Sequence, residues 1–215
     1  MLPVREDLIL PLVTGKRVLD CGGIDHGAAA QKLANGEWLH ALIADRAAEC
    51  IGVDILEANV ERVNRQGNYR FVAANVERLP FQDEFDVVVA GELVEHVYNA
   101  GLFLDSAWRA LRSNGKLVLT TPNAYALSFF AHNLLKGKEH CHPEHICYYS
   151  AQTLSHLVSR HGFSIDKMSF VTRPARTRRV RYARRLVEAL RPSLAEKLVL
   201  IATKTDKRLG YEGVW

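Results

Sequence analysis

The chain has 215 residues, of which 48% are hydrophobic and 24% charged, with a formal net charge of +4. These values describe one ordinary globular domain with enough apolar material for a sizeable core. Four cysteines are too few for a disulfide scaffold, and no apolar run reaches the roughly 18 residues of a membrane span. The segment Met1-Leu2-Pro3-Val4-Arg5-Glu6-Asp7 carries acids where a signal peptide carries bases, so a cytoplasmic location is expected. Cys21 and Cys50 fall in predicted strands and are expected to pack in the core.

Taken in chain order, residues 4–13 read as a leading helix interrupted near Pro11. RVLDC (17–21) is a buried strand, followed by a loop of small and polar residues over 24–37 with room for a helical turn. Residues 38–49 read as a helix with Trp38, Leu39, Leu42 and Ile43 on one face. CIGVD (50–54) is a second strand, 57–66 a helix and 69–73 a third strand. FDVVVA (85–90) is an uninterrupted apolar strand, the mark of a central parallel position. A helix over 100–112 stops at Ser113-Asn114-Gly115, and KLVLTT (116–121) is a fifth strand. After Pro122 the rhythm breaks. Residues 123–138 look helical and apolar, then comes the His- and Cys-rich run 140–149. Ser150 caps a helix to 161, and 164–171 is a strand. Residues 176–190 read as a basic helix, and KLVLIATK (197–204) as a last strand.

Alternating strands and helices imply an α/β fold with a parallel sheet covered on both faces. Ligands in such sheets bind beyond the carboxyl ends of the strands, so the residues just after each strand matter most. After the first strand, Gly22 and Gly23 permit close backbone approach. A dinucleotide fingerprint needs a further glycine at position 24, where this chain has Ile24, which argues against a pyrophosphate-bearing ligand. After the second strand, Asp54 can accept two hydrogen bonds from a ribose diol, or cap the next helix. After the third, Asn75 offers an amide to an adenine edge, or a simple turn. After the fourth, Gly91 permits close approach, and Glu92 and His96 share a face four residues apart.

These pieces together resemble the class I S-adenosylmethionine-dependent methyltransferases, and in particular the ubiquinone-biosynthesis-type O-methyltransferases. VLDCGG looks like the family's first motif, IGVDI its second, ANVERLPF with EFDVVVAGELVEHV its third and fourth, and SNGKLVLTTPN its fifth. PEHICYYSAQTLSHLVSRHGF resembles the segment ahead of the sixth strand, and KLVLIATK the antiparallel seventh. The resemblance implies a Rossmann-like seven-stranded sheet, mostly parallel with an antiparallel last strand and helices on both faces. It makes S-adenosyl-L-methionine the cofactor. Asp20, Gly22 and Gly23 would surround its methionine part, Asp54 with Ile55 its ribose, Asn75 and Val76 its adenine, and Gly91 its amino group. Two departures stand out. Ile24, Asp25 and His26 replace further glycines in the first motif, and Asn75 stands where Asp is usual.

Methyl transfer to a hydroxyl benefits from a base, and His96 and His145 are the candidates. The run His140–Tyr149 is rich in ligand-type residues, but its spacing matches no standard structural zinc pattern, so a substrate wall or base is the first reading, structural roles and a zinc or other transition-metal site are the alternatives, and no metal ligand is assigned. The apolar stretch 123–138 reads first as core and second as part of a lid-like insertion over 123–149 in a single domain. Between Arg173 and Arg191 lie eight arginines and one acid, Glu188. A solvated face is the default there, with an anionic partner or a peripheral membrane position as the functional alternative. A small-molecule, saccharide or lipid-linked acceptor is expected. Nucleic acid is disfavoured because Tyr182 alone supplies an aromatic within the arginine run. A non-catalytic cofactor-binding relative and a nicotinamide enzyme are the readings set against it.

Overall fold

The computed structural model describes residues 2–24, 29–139, 141–172 and 191–206. Seven strands form one sheet in the order β3-β2-β1-β4-β5-β7-β6. They are β1 (Arg17–Cys21), β2 (Glu49–Asp54), β3 (Arg70–Ala73), β4 (Phe85–Gly91), β5 (Leu111–Pro122), β6 (Phe163–Val171) and β7 (Lys197–Lys204). The first five pair in parallel, and β7 runs antiparallel to both β5 and β6. The helices are α1 (Arg5–Val13), α2 (Ala29–Ala34), α3 (Leu39–Ala44), α4 (Glu57–Arg65), α5 (Ala100–Ala110), α6 (Leu127–Lys136) and α7 (Ala151–Arg160).

Alternation along the central strands builds two apolar layers, because successive side chains point to opposite faces. Leu19, Val88, Leu117, Leu119, Leu198 and Leu200 meet Phe103, Leu104 and Ala107 of α5 and Leu154 and Val158 of α7. Val18, Val87, Val89, Val118 and Val199 meet Ile9, Leu10 and Val13 of α1 and Leu39 and Ile43 of α3. A third cluster of Ile24, Trp38, Val60, Val63 and Phe71 lies under the loop that follows β1. Crossovers on both faces bring the C-terminal ends of β1, β2, β3 and β4 to one edge of the molecule, where the site is built.

Several expected boundaries move. Helix α1 runs through Pro11, which forfeits one backbone hydrogen bond without ending the helix. α3 is shorter than expected, ending at Ala44, because the chain turns through Asp45–Ala48 to enter β2. α5 ends at Ala110, and Ser113-Asn114-Gly115 lies inside β5, where Asn114 takes a positive φ of 61° and the pairing with β4 shifts register. Ser150 caps α7 as expected, accepting from the Thr153 N–H at 3.1 Å while the Thr153 hydroxyl accepts from the Ser150 N–H at 3.0 Å. The core reading of the stretch after Pro122 is overturned: α6 starts at Leu127, has no buried residue, and leaves Leu134 and Leu135 exposed. Cys21 is buried, but Cys50 is only half-buried. The predicted basic helix and its arginines from 173 to 190 lie outside the described residues.

Candidate active site

The turn after β1 is held from three sides. Gly22 has φ +73°, the left-handed region that favours glycine, and its N–H donates to the Val53 carbonyl at 2.8 Å. Asp20, buried at the end of β1, lies 2.8 Å from Nδ1 of the buried His40. The Trp38 indole N–H donates to the Gly23 carbonyl at 2.8 Å. A side chain at Gly23 would press on the Asp20 carboxylate and on Phe71, so the backbone lies flat against both. Trp38 and His40 sit at the start of α3, 15 and 20 positions from their partners, and sequence reasoning missed both as site residues.

Ile24 explains the departure from a glycine-rich loop. Its side chain is buried in the third apolar cluster, and its backbone N–H donates to Oδ2 of Asp54 at 3.1 Å. Asp54, buried at the end of β2, also accepts the Leu56 N–H on Oδ1 at 3.0 Å. Its carboxylate thus ties the β1 and β2 turns together. Ile55 beside it is exposed. Asn75 follows β3 and starts a short 3-10 turn, its Oδ1 accepting from the Glu77 N–H at 2.9 Å. That turn occupies the side-chain oxygen and leaves the amide NH2 as the group able to donate to a ring nitrogen.

The turn after β4 is the most constrained. Glu92 is a non-glycine residue with φ +55°, a conformation that persists only where its surroundings fix it. Its N–H donates to the Thr120 carbonyl at 2.9 Å, the Thr120 hydroxyl donates to Oε1 at 3.0 Å, and Lys197 pairs with Oε2 at 2.6 Å. Burial alone would raise the Glu92 carboxyl, but Lys197 and Arg5 outweigh it and hold it below the usual carboxylate range. Glu95, three residues on, is fully buried, and Oε2 accepts the Thr121 hydroxyl at 2.9 Å. Burial, reinforced by Glu92, pushes its carboxyl up to about 8.

The run after α6 folds back over this turn. The Ile146 N–H donates to the Glu95 carbonyl at 3.0 Å, and His96 Nδ1 lies 3.1 Å from the Glu144 carbonyl. A carbonyl only accepts, so Nδ1 of His96 is the donor in this contact. The His96 and His145 ring centroids are 4.7 Å apart, nearly perpendicular. Burial, with the neighbouring His96 and His142, lowers the His145 pKa and so favours its neutral form.

All of the predicted residues line one cavity of about 1420 Å3: Asp20, Gly22, Gly23, Asp54, Ile55, Asn75, Val76 and Gly91, together with His96 and His145. Lys197, Glu92, Glu95, Trp38 and His40 line it too. A second, more apolar hollow of about 890 Å3 lies along α6, and Phe129 and Tyr148 line both.

A family model described as a methyltransferase domain matches residues 3–167. Among curated relatives, a Mycolicibacterium smegmatis protein named as a probable S-adenosylmethionine-dependent methyltransferase is 31% identical over 128 residues, 58% of this chain and 47% of that one. A ubiquinone biosynthesis O-methyltransferase of Bradyrhizobium diazoefficiens is 33% identical over 87 residues, 38% of this chain and 34% of that one. The chain thus spans half or less of these relatives' length. A solved S-adenosylmethionine-dependent methyltransferase from Archaeoglobus fulgidus has the same fold, with a TM-score of 0.64 at 21% identity over 93% of this chain and 91% of that one. The chain therefore belongs to the methyltransferase domain family, whose S-adenosylmethionine-dependent members share this seven-stranded sheet.

Proposed function

We propose that this chain transfers a methyl group from S-adenosylmethionine to a hydroxyl oxygen of a small acceptor with an apolar portion. The observation that carries the reading is the single cavity that joins the Asp20–Asp54–Asn75 edge to the Glu95–His96–His145 cluster. The methionine part of the cofactor would lie along Asp20, Gly22, Gly23 and Gly91. The ribose diol would meet Asp54 and Ile55, and the adenine Asn75 and Val76. The sulfonium is already activated, so the protein's task is to align acceptor oxygen, methyl carbon and sulfur. As the C–O bond forms, the C–S pair returns to sulfur and the hydroxyl proton must leave. His96 and His145 are the groups placed to take it. The hollow beside Phe129 and Tyr148 suits the acceptor's apolar body, whether a free small molecule or a saccharide or lipid-linked one.

The test is a thermal-shift comparison of S-adenosylhomocysteine with NAD, followed by labelled-methyl transfer to carbohydrate, lipid and small-molecule pools. Stabilisation by S-adenosylhomocysteine and label in a neutral, ether-forming acceptor are expected. A response to NAD alone overturns the cofactor assignment, and label appearing only on nitrogen overturns the oxygen. Among the described residues no helix is long and apolar enough to cross a membrane.

A further inference from the structure

Glu95, His96 and His145 present one carboxylate oxygen and two imidazole nitrogens, all within 4.8 Å of one another. We propose that these three side chains bind one divalent transition-metal ion of the zinc type in the wall of the cavity. Two orphaned atoms point to a ligand. Oε1 of Glu95 and Nδ1 of His145 are buried, and among the described residues neither has a hydrogen-bond partner. A buried polar atom without a partner costs about 1–3 kcal/mol, and a cation satisfies both atoms at once.

The atoms around the cluster are arranged as a metal site requires. The Thr121 hydroxyl holds the second carboxylate oxygen of Glu95, and the Glu144 carbonyl orients the His96 ring through Nδ1. The Ile146 N–H, bonded to the Glu95 carbonyl, pins the strand of chain that carries His145 against the turn that carries Glu95 and His96. Two imidazoles and one carboxylate suit zinc, cobalt or iron(II) better than magnesium or calcium, which take mostly oxygen. Three protein ligands leave coordination positions open, as in catalytic rather than structural sites. Glu95, His96 and His145 all line the cavity assigned to the acceptor. This role rests on the methyltransferase reading: a coordinated acceptor hydroxyl would have a lowered pKa and give its proton to solvent water, so that neither imidazole is needed as the base.

The test uses tag-free, metal-stripped full chain titrated with Co2+ and Zn2+, read by calorimetry and by the visible Co2+ absorption bands. One ion per chain is expected, with Zn2+ displacing Co2+ and Mg2+ failing to. His145→Ala and Glu95→Gln should weaken binding by at least ~100-fold, beyond the roughly 10–100-fold of an outer-shell partner. Their folding is checked by circular dichroism and by S-adenosylhomocysteine binding on the same samples. Absence of stoichiometric Co2+ binding, or unchanged affinity in folded His145→Ala, overturns the metal site. Either result with cofactor binding intact leaves the methyltransferase reading standing. Metal binding without S-adenosylhomocysteine binding removes that reading instead, and with it the ion's proposed role.

Discussion

Asp54→Ala tests the hinge of the cofactor assignment. In the folded chain the carboxylate accepts the buried Ile24 N–H at 3.1 Å and the Leu56 N–H at 3.0 Å. A hydrogen bond to a charged group contributes about 1.5–3 kcal/mol, and the less buried bond from the Leu56 N–H, made by the residue ahead of α4, about 0.5–1.5 kcal/mol. Loss of both should cost about 2–4 kcal/mol, a fall in Tm of roughly 5–15 °C for a chain of this size. Binding of S-adenosylhomocysteine should lose a further charge-assisted contact, about 1.5–3 kcal/mol, or roughly 10–150-fold in Kd. Asp54→Asn separates the two effects. Its one amide oxygen can serve only one of the two N–H groups, and its NH2 turns a donor toward the other. Calorimetric titration of both variants, below their own Tm, reads affinity independently of stability. Wild-type affinity in folded Asp54→Ala would falsify the placement of the ribose. A fall in affinity with no fall in Tm would show that the tie between the β1 and β2 turns is not held by this carboxylate.

Other perturbations follow from the same contacts. A Cβ at Gly52 would run into the Phe71 ring, which lies 4.2 Å from His40 and 6.3 Å from Trp38 by ring centroid. Gly52→Ala should therefore destabilise by about 1–3 kcal/mol in urea unfolding, and an unchanged midpoint would contradict the tight packing under the β1 loop. Asp86 is held below its ordinary pKa, chiefly by the Arg17 backbone N–H at 2.9 Å and then by Arg112. A depressed carboxyl stabilises above its unfolded pKa and loses that contribution as pH falls through the folded value. Asp86→Asn should thus lower Tm at pH 7, with the gap to wild type closing in acid; a gap that is constant down to about pH 2 counts against the charge as its source. Leu134→Glu with Leu135→Glu changes two exposed positions on α6 and should leave stability within about 0.5 kcal/mol per site. A large loss would restore the core reading of this helix.

What the sequence carries plainly is local. RVLDC and KLVLIATK become β1 and β7 at the residues expected, because apolar runs bounded by turn residues need no distant partner to be recognised. The residues after each strand are legible for the same reason, since the fold class alone places strand ends at a ligand edge. What is not legible is made by contacts far apart in the chain. Nothing near Asp20 in sequence announces His40, and nothing near Gly23 announces Trp38, although these side chains hold the β1 turn. α6 was misread because its apolar content resembles core, and only the tertiary structure shows that Leu134 and Leu135 are exposed, with no element among the described residues covering them. The run 141–149 shows no metal spacing by itself, since two of the three side chains that converge there, Glu95 and His96, stand after β4.

The two carboxylates after β4 show how far surroundings divide residues that sequence treats alike. Glu92 and Glu95 stand three apart in one short turn, and either could be read as acid, base or ligand. Hydrogen-bond accounting separates them. Both oxygens of Glu92 are engaged, Oε1 by Thr120 and Oε2 by Lys197, and its left-handed backbone is fixed by the Thr120 carbonyl. Glu92 is thereby committed to shaping the turn and to balancing the buried Lys197. Glu95 is more deeply buried, yet its side chain has one oxygen on Thr121 and the other without a hydrogen-bond partner among the described residues. Burial without a second partner is tolerated where a ligand completes the set. His96 follows Glu95 directly, and the Ile146 N–H on the Glu95 carbonyl draws His145 to the same place. The turn therefore has one carboxylate that holds it and another with an oxygen to give, and the second is the one that faces the histidines.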